Sequence, residues 1–105
     1  MPQLELTRDE RLHLKARAHH LQPVVLLGAN GLTPAVLREI DRALTAHELI
    51  KVRVPGDDRA EREAIYAQVA DDLSAACVAA IGKLAIFYRP RPDEEERPAS
   101  AKPRR

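Results

Sequence analysis

The residues whose types and spacing best suit a chemical role are Gly28-Ala29-Asn30-Gly31, a G-x-x-G pattern between an apolar run and a helix start. Glycine permits a positive φ and has no Cβ to keep a ligand away from the backbone. A turn that leads into a helix also presents backbone N–H groups near the positive end of the helix dipole, where phosphates bind. Many G-x-x-G sequences are ordinary turns that bind nothing. The surrounding residues must therefore decide between an ordinary turn and a phosphate site.

Three kinds of phosphate site can be compared with this loop. A nucleotide P-loop needs G-x-x-x-x-G-K-[ST], and both the spacing and the lysine are missing. A dinucleotide-binding turn needs G-x-G-x-x-G, and only one of its intervals is present. The kind that fits is a nucleic-acid backbone clamp like that of KH domains, in which a GxxG turn grips successive nucleotides.

The four histidines, His13, His19, His20 and His47, are the other residues that could do chemistry. Adjacent His19 and His20 would point about 100° apart in a helix and cannot converge on one ion. His47 precedes a glutamate at a predicted helix end, where a cation near the carbonyls is ordinary capping. The sequence has no H-x-x-x-H, nucleophile motif or obvious carboxylate pair. We therefore predict no enzyme activity, no catalytic residue, no metal and no cofactor.

Length and composition limit the class of protein. A chain of 105 residues forms one domain with one modest core. Its only aromatic residues of the Phe, Tyr and Trp types are Tyr66, Phe87 and Tyr88, which argues against a single-strand binder that stacks bases mainly on several rings. Cys77 is the single cysteine, so no intramolecular disulfide or cysteine-based zinc site is expected. With no long apolar run and no signal-peptide pattern, we expect a soluble, cytoplasmic protein without a membrane partner. We also expect a monomer.

Charge is distributed unevenly along the chain, although the net charge is only +1. Residues 1–54 hold eight Lys and Arg against six Asp and Glu, whereas residues 55–89 hold four against six. A polyanionic partner should therefore meet the first half of the domain and avoid the segment after Pro55.

Capping signals predict three helices that position the loop. Thr7, with a glutamate three residues later, matches the capping box of a first helix. Thr33 can cap a second helix that begins with Pro34, where a missing N–H costs nothing. Asp58, again with a glutamate three residues on, begins a third helix that runs to about Ser74. The predicted core-facing residues are Leu14, Ala18, Leu21, Val36, Leu37, Ile40, Leu44, Ile65, Val69 and Leu73.

Apolar runs predict four strands. Val24–Leu27 is continuously apolar, which fits a strand buried on both faces in the interior of a sheet. Leu49–Val54 alternates, as a half-buried strand does. Cys77–Ile81 and Leu84–Arg89 are joined through Gly82-Lys83, which suits a tight hairpin with glycine at positive φ.

The predicted fold is α/β, in the order helix-strand-helix-strand-helix-strand-strand, with a mixed four-stranded sheet packed with helices. Strands separated by helices favour parallel pairing, while the terminal hairpin must be antiparallel. We assign residues 1–90 to one domain. From Pro90 the chain has four prolines, nine charges and no large apolar residue, so residues 91–105 are predicted to be a disordered charged tail.

Basic residues predicted near the loop strengthen its interpretation as a nucleic-acid backbone clamp. The first helix carries a basic stripe at steps of three, four and four residues, and the second strand carries two cations on one face. For the two strand cations, the alternative is a strand face that is simply exposed to solvent. A further basic residue, in the hairpin turn, can reach RNA only if the hairpin faces the same side as the loop. The stripe is Arg8, Arg11, Lys15 and His19; the strand residues are Lys51 and Arg53; the hairpin residue is Lys83.

The succession HLKARAHHLQPVVLLGANGLTPAVLREIDRALTAHELIKVRV, followed by IGKLAIFYRP, closely resembles the bacterial YhbY family, the stand-alone form of the CRM (chloroplast RNA splicing and ribosome maturation) domain. The resemblance covers about residues 5–90, and its three motif blocks occur in order. It implies RNA binding, association with precursors of the large ribosomal subunit, and a fold similar to the C-terminal domain of translation initiation factor three. It also implies that the RNA contacts are Gly28, Ala29, Asn30, Gly31 and the neighbouring basic residues.

Two functions of different classes remain open at this point. One is an RNA-binding factor for ribosome assembly, with ribosomal RNA of the large-subunit precursor as its partner. The other is a protein-docking module, in which the acidic third helix and the tail bind a basic protein without RNA contact. Retention of the partner after nuclease treatment would separate them.

Overall fold

A computed structural model describes residues 4–90. The predicted tail, residues 91–105, lies outside the described residues. The element order confirms the predicted α/β arrangement. In chain order the elements are α1 (Arg8–Ala18), β1 (Pro23–Leu26), α2 (Pro34–His47), β2 (Leu49–Arg53), α3 (Arg59–Leu73), β3 (Ala76–Ile81) and β4 (Leu84–Tyr88).

Local capping interactions fix the start of each helix. At α1 the Thr7 hydroxyl accepts a hydrogen bond from the Glu10 N–H, and the Glu10 carboxylate accepts one from the Thr7 N–H, at 3.1 and 2.9 Å. At α2 the Thr33 hydroxyl accepts from the Val36 N–H at 3.2 Å. At α3 the Asp58 carboxylate accepts from two backbone N–H groups. These hydrogen bonds confirm the three predicted caps. The caps could be predicted because capping depends on residues close in sequence.

The four strands form one mixed sheet in the order β1-β2-β4-β3. β1 runs parallel to β2, while β4 is antiparallel to both β2 and β3. Gly82 adopts φ +60° in the β3–β4 hairpin, as predicted. The Val54 N–H donates to the Lys83 carbonyl at 2.7 Å, so the hairpin lies at the carboxyl end of β2.

Helices cover both faces of the sheet, but unequally. α2 and α3 pack on one face, where Ile50, Val52 and Val54 are buried, and α1 packs on the other, where Leu49 is buried. The larger cluster consists of Val25, Leu27, Ile40, Leu44, Ile50, Val52, Val54, Tyr66, Val69, Ala75, Ala85 and Phe87. The smaller consists of Leu14, Ala18, Leu49, Val78 and Ile86.

The prediction that β1 is buried on both faces is wrong. β1 is an edge strand whose Val25 packs into the larger cluster, whereas Val24 and Leu26 are 46% and 64% exposed on the other side. The physical reason is the position of α1, which packs mainly over β2, β3 and β4. Part of the sheet face that carries α1 is therefore open to solvent.

Arg89, directly after β4, fastens the sheet to two helices. Its Nη1 donates to Asp41 Oδ1 at 2.8 Å and to the Leu73 carbonyl at 3.0 Å. Its Nη2 donates to the Asp41 carbonyl at 3.1 Å and to the Thr45 hydroxyl at 2.9 Å. The guanidinium thereby joins the middle of α2 to a carbonyl at the end of α3, where helix carbonyls lack partners of their own.

Candidate nucleic-acid interface

The Gly28–Gly31 turn is an exposed tip at the end of β1. The Gly31 N–H donates to the Gly28 carbonyl at 3.0 Å, and Gly31 has φ +71°. A Cβ placed on Gly28 or Gly31 would meet no atom within 4 Å. Within residues 4–90 the N–H groups of Ala29 and Asn30 have no hydrogen-bond partner. These two amides are therefore available to a ligand that approaches the backbone.

The start of α2 offers fewer donors than the sequence suggested. The helix begins at Pro34, three residues beyond Gly31, and proline has no N–H. The Val36 N–H is bound by the Thr33 hydroxyl, and the Leu37 N–H donates to the Thr33 carbonyl at 2.9 Å. An anion at this end would therefore meet the amides of the turn more than those of the helix.

Two of the predicted basic residues lie at the same end of the sheet as the turn. The Leu27 N–H donates to the Arg53 carbonyl at 3.0 Å, so Arg53 sits on the strand beside the turn, with its side chain exposed. Lys83 is in the β3–β4 hairpin, and its own carbonyl accepts the hydrogen bond from the Val54 N–H. Its Nζ lies 3.5 Å from Asp57 Oδ1, which offsets part of its charge.

Lys51 shares the sheet face of Arg53. It pairs with Ile86 of β4 and lies two residues before Arg53, or about 7 Å along the strand. Because Ile86 packs against α1, this face is the one that carries α1. The structure thus decides the sheet face on which the two strand cations lie.

Arg11 anchors α1 to the sheet. Its Nη1 donates to the Cys77 and Val78 carbonyls, at 2.8 and 3.0 Å, where β3 has an irregular register. On a helical projection Arg11 lies about 60° from buried Leu14, and Lys15 about 100°. Arg11 was predicted as an RNA contact, but its observed contacts are structural.

The two flanks of α1 face opposite ends of the sheet. Glu10, His13 and Arg17 line a cavity with Tyr88, which lies at the end of β4 away from the Gly28–Gly31 turn. Lys15 is on the other flank, which is turned toward the end that carries the turn. Lys15 and the turn therefore border the open sheet face from opposite sides.

The structure does not bring the other two residues of the predicted stripe to the turn. Arg8 and His19 are exposed and lie about 120° and 140° from Leu14 around α1, so they are turned away from the sheet. His19 caps the end of α1, and its ring meets that of His20 edge-on with centroids 5.4 Å apart.

Carboxylates lie on the opposite side of the turn. A groove of about 620 Å³ runs between the turn and α3, and its lining includes Asn30 and Leu37 together with Glu61 and Asp72. Cations thus border the turn on the α1 side of the sheet, and carboxylates border it on the α3 side. A polyanion would meet repulsion from the α3 side and attraction from the α1 side.

Cys77, the single cysteine, is partly buried in β3. Burial raises the pKa of the Cys77 thiol from its usual 9.0 to about 11, against the opposing effects of Arg11 and of the Ala79 carbonyl, to which the thiol donates. The thiol is thus protonated at neutral pH. Residues 4–90 contain no group of three His, Cys, Asp or Glu side chains placed to hold a metal ion. Within the same residues, none of the helices has the length and the apolar character of a membrane span.

Residues 6–89 match the family described as the CRS1 / YhbY (CRM) domain. The chain belongs to this family. The RNA-binding protein of Haemophilus influenzae is 48% identical to this CRM domain over 85 residues, which are 81% of this chain and 86% of that protein. PA4753 of Pseudomonas aeruginosa, named a probable RNA-binding protein, is 39% identical over 89 residues, which are 85% and 86% of the two chains.

The fold of the CRM domain is also found in a solved relative. The solution structure of SAV1595 from Staphylococcus aureus matches with a TM-score of 0.74 and 26% identity, over 82% of this chain and 90% of that chain. The predicted family and fold class are thereby confirmed.

Two features of this CRM domain were missed by reasoning from sequence. The first is the exposed apolar surface of β1; Pro23 at the strand start, typical of an edge strand, was the available signal. The second is the Arg89 anchor, whose bonds reach back to Asp41 and Leu73. No local pattern marks such long-range partners.

Proposed function

We propose that this CRM domain binds RNA with the Gly28–Gly31 turn and the cations beside it, and that it acts in the cytoplasm as an assembly factor on precursors of the large ribosomal subunit. The observation that carries the proposal is an open turn, with two amides unpaired among residues 4–90, next to the strand that bears Arg53. The names of the relatives support RNA as the partner. The resemblance to the YhbY family supports a ribosomal precursor.

Binding would proceed through the RNA backbone. A sugar–phosphate strand lies against the turn, where the N–H groups of Ala29 and Asn30 donate to phosphate oxygens. Arg53, Lys51 and Lys15 supply positive charge along the adjoining sheet face. Each phosphate that they neutralise releases condensed counterions, which makes the affinity dependent on salt.

The carboxylates of α3 determine the direction of approach. Glu61 and Asp72 line the groove behind the turn, so a phosphate strand on that side would meet like charge. The RNA therefore comes from the α1 side, where the four strands themselves contain no Asp or Glu.

A doubly charged turn tests the proposal. In the Ala29→Asp/Asn30→Asp variant, two carboxylates replace the surface that meets phosphate, so we expect binding to transcribed large-subunit precursor RNA to weaken by more than about tenfold. The matched control is Ala60→Asp/Ala67→Asp, which changes the net charge equally on the exposed surface of α3. Filter binding with both variants, and circular dichroism to verify folding, are the measurements.

The results separate a local contact from a general charge effect. The proposal requires near-wild-type affinity in the α3 control and also a loss of affinity in Lys15→Glu. Equal loss in both double variants would show that net charge alone governs binding, and unchanged affinity in the turn variant would remove the turn from the interface.

The α3 groove supports a second candidate function, the docking of a basic peptide. Apolar Leu32, Leu37 and Ile65 line it together with Glu61 and Asp72, a combination suited to an apolar anchor flanked by Lys or Arg. In that case the protein would co-sediment with ribosomal particles after nuclease treatment and would bind no naked RNA. Co-sedimentation before and after nuclease distinguishes the two functions.

A further inference from the structure

On the sheet face that carries α1, the part that α1 leaves open has a row of four neighbouring side chains, three of them apolar and one cationic. The strand registers place Leu26, Arg53, Leu84 and Ile81 side by side across all four strands. Leu26 is 64% exposed and Ile81 55% exposed, and Val24, next to this row, is 46% exposed. We call Val24, Leu26, Ile81 and Leu84 the aliphatic strip. Large apolar side chains grouped in solvent mark an interaction surface.

The position of the aliphatic strip links it to the RNA site. The row ends beside the Gly28–Gly31 turn, because Leu26 is followed by Leu27, whose N–H binds the Arg53 carbonyl. The Lys15 flank of α1 borders the strip on the other side. Lys51 and Arg53 stand among its residues, and no strand contributes a carboxylate. Its occupant must therefore be both polyanionic and partly apolar.

Unpaired nucleobases on a phosphate backbone meet both requirements. A duplex keeps the faces of its bases stacked inside and presents mainly phosphate and sugar, whereas a single strand can splay its bases onto a protein surface. Four strands about 4.8 Å apart give the row a width of roughly 14 Å, and a four-stranded sheet can accept two or three bases. The bases must contact aliphatic side chains, because Tyr66 and Phe87 are buried and Tyr88 packs against the smaller cluster.

We propose that the aliphatic strip binds the bases of single-stranded RNA whose phosphates are held by the turn and by Lys51 and Arg53. This inference rests on the proposed function and adds the class of RNA that the site selects. A second copy of the chain is a poorer occupant, because a two-fold contact would set the same cationic patch against itself.

The test combines one variant with three RNA probes. Leu26→Ser/Ile81→Ser removes aliphatic surface from exposed positions, so folding should be little affected. The matched control is Leu12→Ser, which changes a 54% exposed leucine about 160° from Leu14 around α1, on the side away from the sheet. The probes are a short single-stranded RNA, the duplex of the same sequence, and a strand with the same backbone but abasic sites. Fluorescence anisotropy measures each affinity, and sedimentation equilibrium measures the oligomeric state.

We expect the wild type to prefer the single strand over the duplex and the abasic strand. The Leu26→Ser/Ile81→Ser variant should bind the single strand about tenfold more weakly, since burial of aliphatic surface drives the contact. Its affinities for the duplex and the abasic strand should equal those of the wild type, and Leu12→Ser should bind all three RNAs normally.

Two results would overturn the inference and leave the proposed function intact. One is wild-type affinity of the strip variant for the single strand, in which case the strip serves another partner. The other is a wild-type dimer that the strip variant abolishes, which would assign the strip to a second copy. Failure of the proposed function looks different, because the wild type would then bind none of the three RNAs.

Discussion

Gly28 and Gly31 occupy the two ends of one turn for different physical reasons. Gly31 has φ +71°, a conformation that residues with a Cβ adopt only with strain. Gly28 has no positive φ, and a Cβ placed on it would meet open space. The fold therefore needs a glycine at position 31 but makes no such demand at position 28, where we propose that the close approach of RNA favours one.

Alanine at each position should separate folding from binding. We expect Gly31→Ala to lower the free energy of unfolding by about 1 kcal/mol through backbone strain. Gly28→Ala should leave stability unchanged yet weaken RNA binding, because the added methyl group keeps the phosphate strand from the backbone. Urea denaturation and filter binding on the same preparations provide the check. Wild-type RNA affinity in Gly28→Ala would mean that the RNA does not approach the backbone closely there.

Two arginines show how far residue roles can be assigned from sequence. Arg11 and Arg53 were both predicted as RNA contacts. In the folded protein Arg11 binds two carbonyls of β3, whereas the side chain of Arg53 is exposed beside the turn. The distinction depends on the irregular register of β3, where carbonyls become available to a side chain. No motif in the sequence of β3 marks this irregularity.

Among the elements, the Arg89 anchor holds α2 and α3 to the end of β4. Its mostly buried guanidinium makes four hydrogen bonds, two of them to backbone carbonyls. Because Asp41 is about half exposed, water can replace part of what its carboxylate would lose. The Leu73 carbonyl is at a helix end and depends more on the side chain.

Removal of the anchor should be costly for the fold. We expect Arg89→Met, which keeps much of the side-chain volume, to lower the free energy of unfolding by about 2 kcal/mol. The control is Arg59→Met, which breaks an exposed pair with Glu63 at 2.9 Å and should cost only a few tenths of a kcal/mol. Chemical denaturation measures both. Equal effects of the two substitutions would show that the Arg89 bonds contribute no more than a surface ion pair.

The elements were predictable where their causes are local. Thr7, Thr33 and Asp58 begin helices through bonds to residues two or three positions away, so a short stretch of sequence contains the signal. The exposure of β1 depends instead on where α1 crosses the sheet, and α1 precedes β1 without any motif that fixes its path. The same limitation applies to Arg89, whose bond to Asp41 spans 48 positions.

On the scale of the whole molecule, charge is divided between two sides of the Gly28–Gly31 turn. Lys15 of α1 and the cations of β2 lie on one side, and Glu61 and Asp72 of α3 lie on the other. A net charge of +1 conceals this division, because opposite charges cancel in the sum. The division was anticipated in outline from the charges along the chain, since α3 follows Pro55.

The salt dependence of RNA affinity should reveal that the cations act on only one side of the sheet. For single strands the slope of log affinity against log salt concentration is about 0.7 per phosphate contacted. We expect Arg53→Gln to reduce the magnitude of the slope by roughly that amount. Arg38→Gln, an equal charge change at an exposed position of α2 on the other side of the sheet, should leave it unchanged. Titrations across a salt series decide the matter, and equal slopes for the two variants would contradict a one-sided interface.

The Gly28–Gly31 turn is fixed by its own hydrogen bond and by the bond between Leu27 and Arg53. Among residues 4–90, Ala29 and Asn30 belong to neither buried cluster, so replacing them should change the free energy of unfolding by no more than about 0.5 kcal/mol. Selection can therefore change the residues at the tip of the turn while the rest of the fold stays as it is. The same freedom is open to an engineer, who could exchange these two positions in a library without first stabilising the protein.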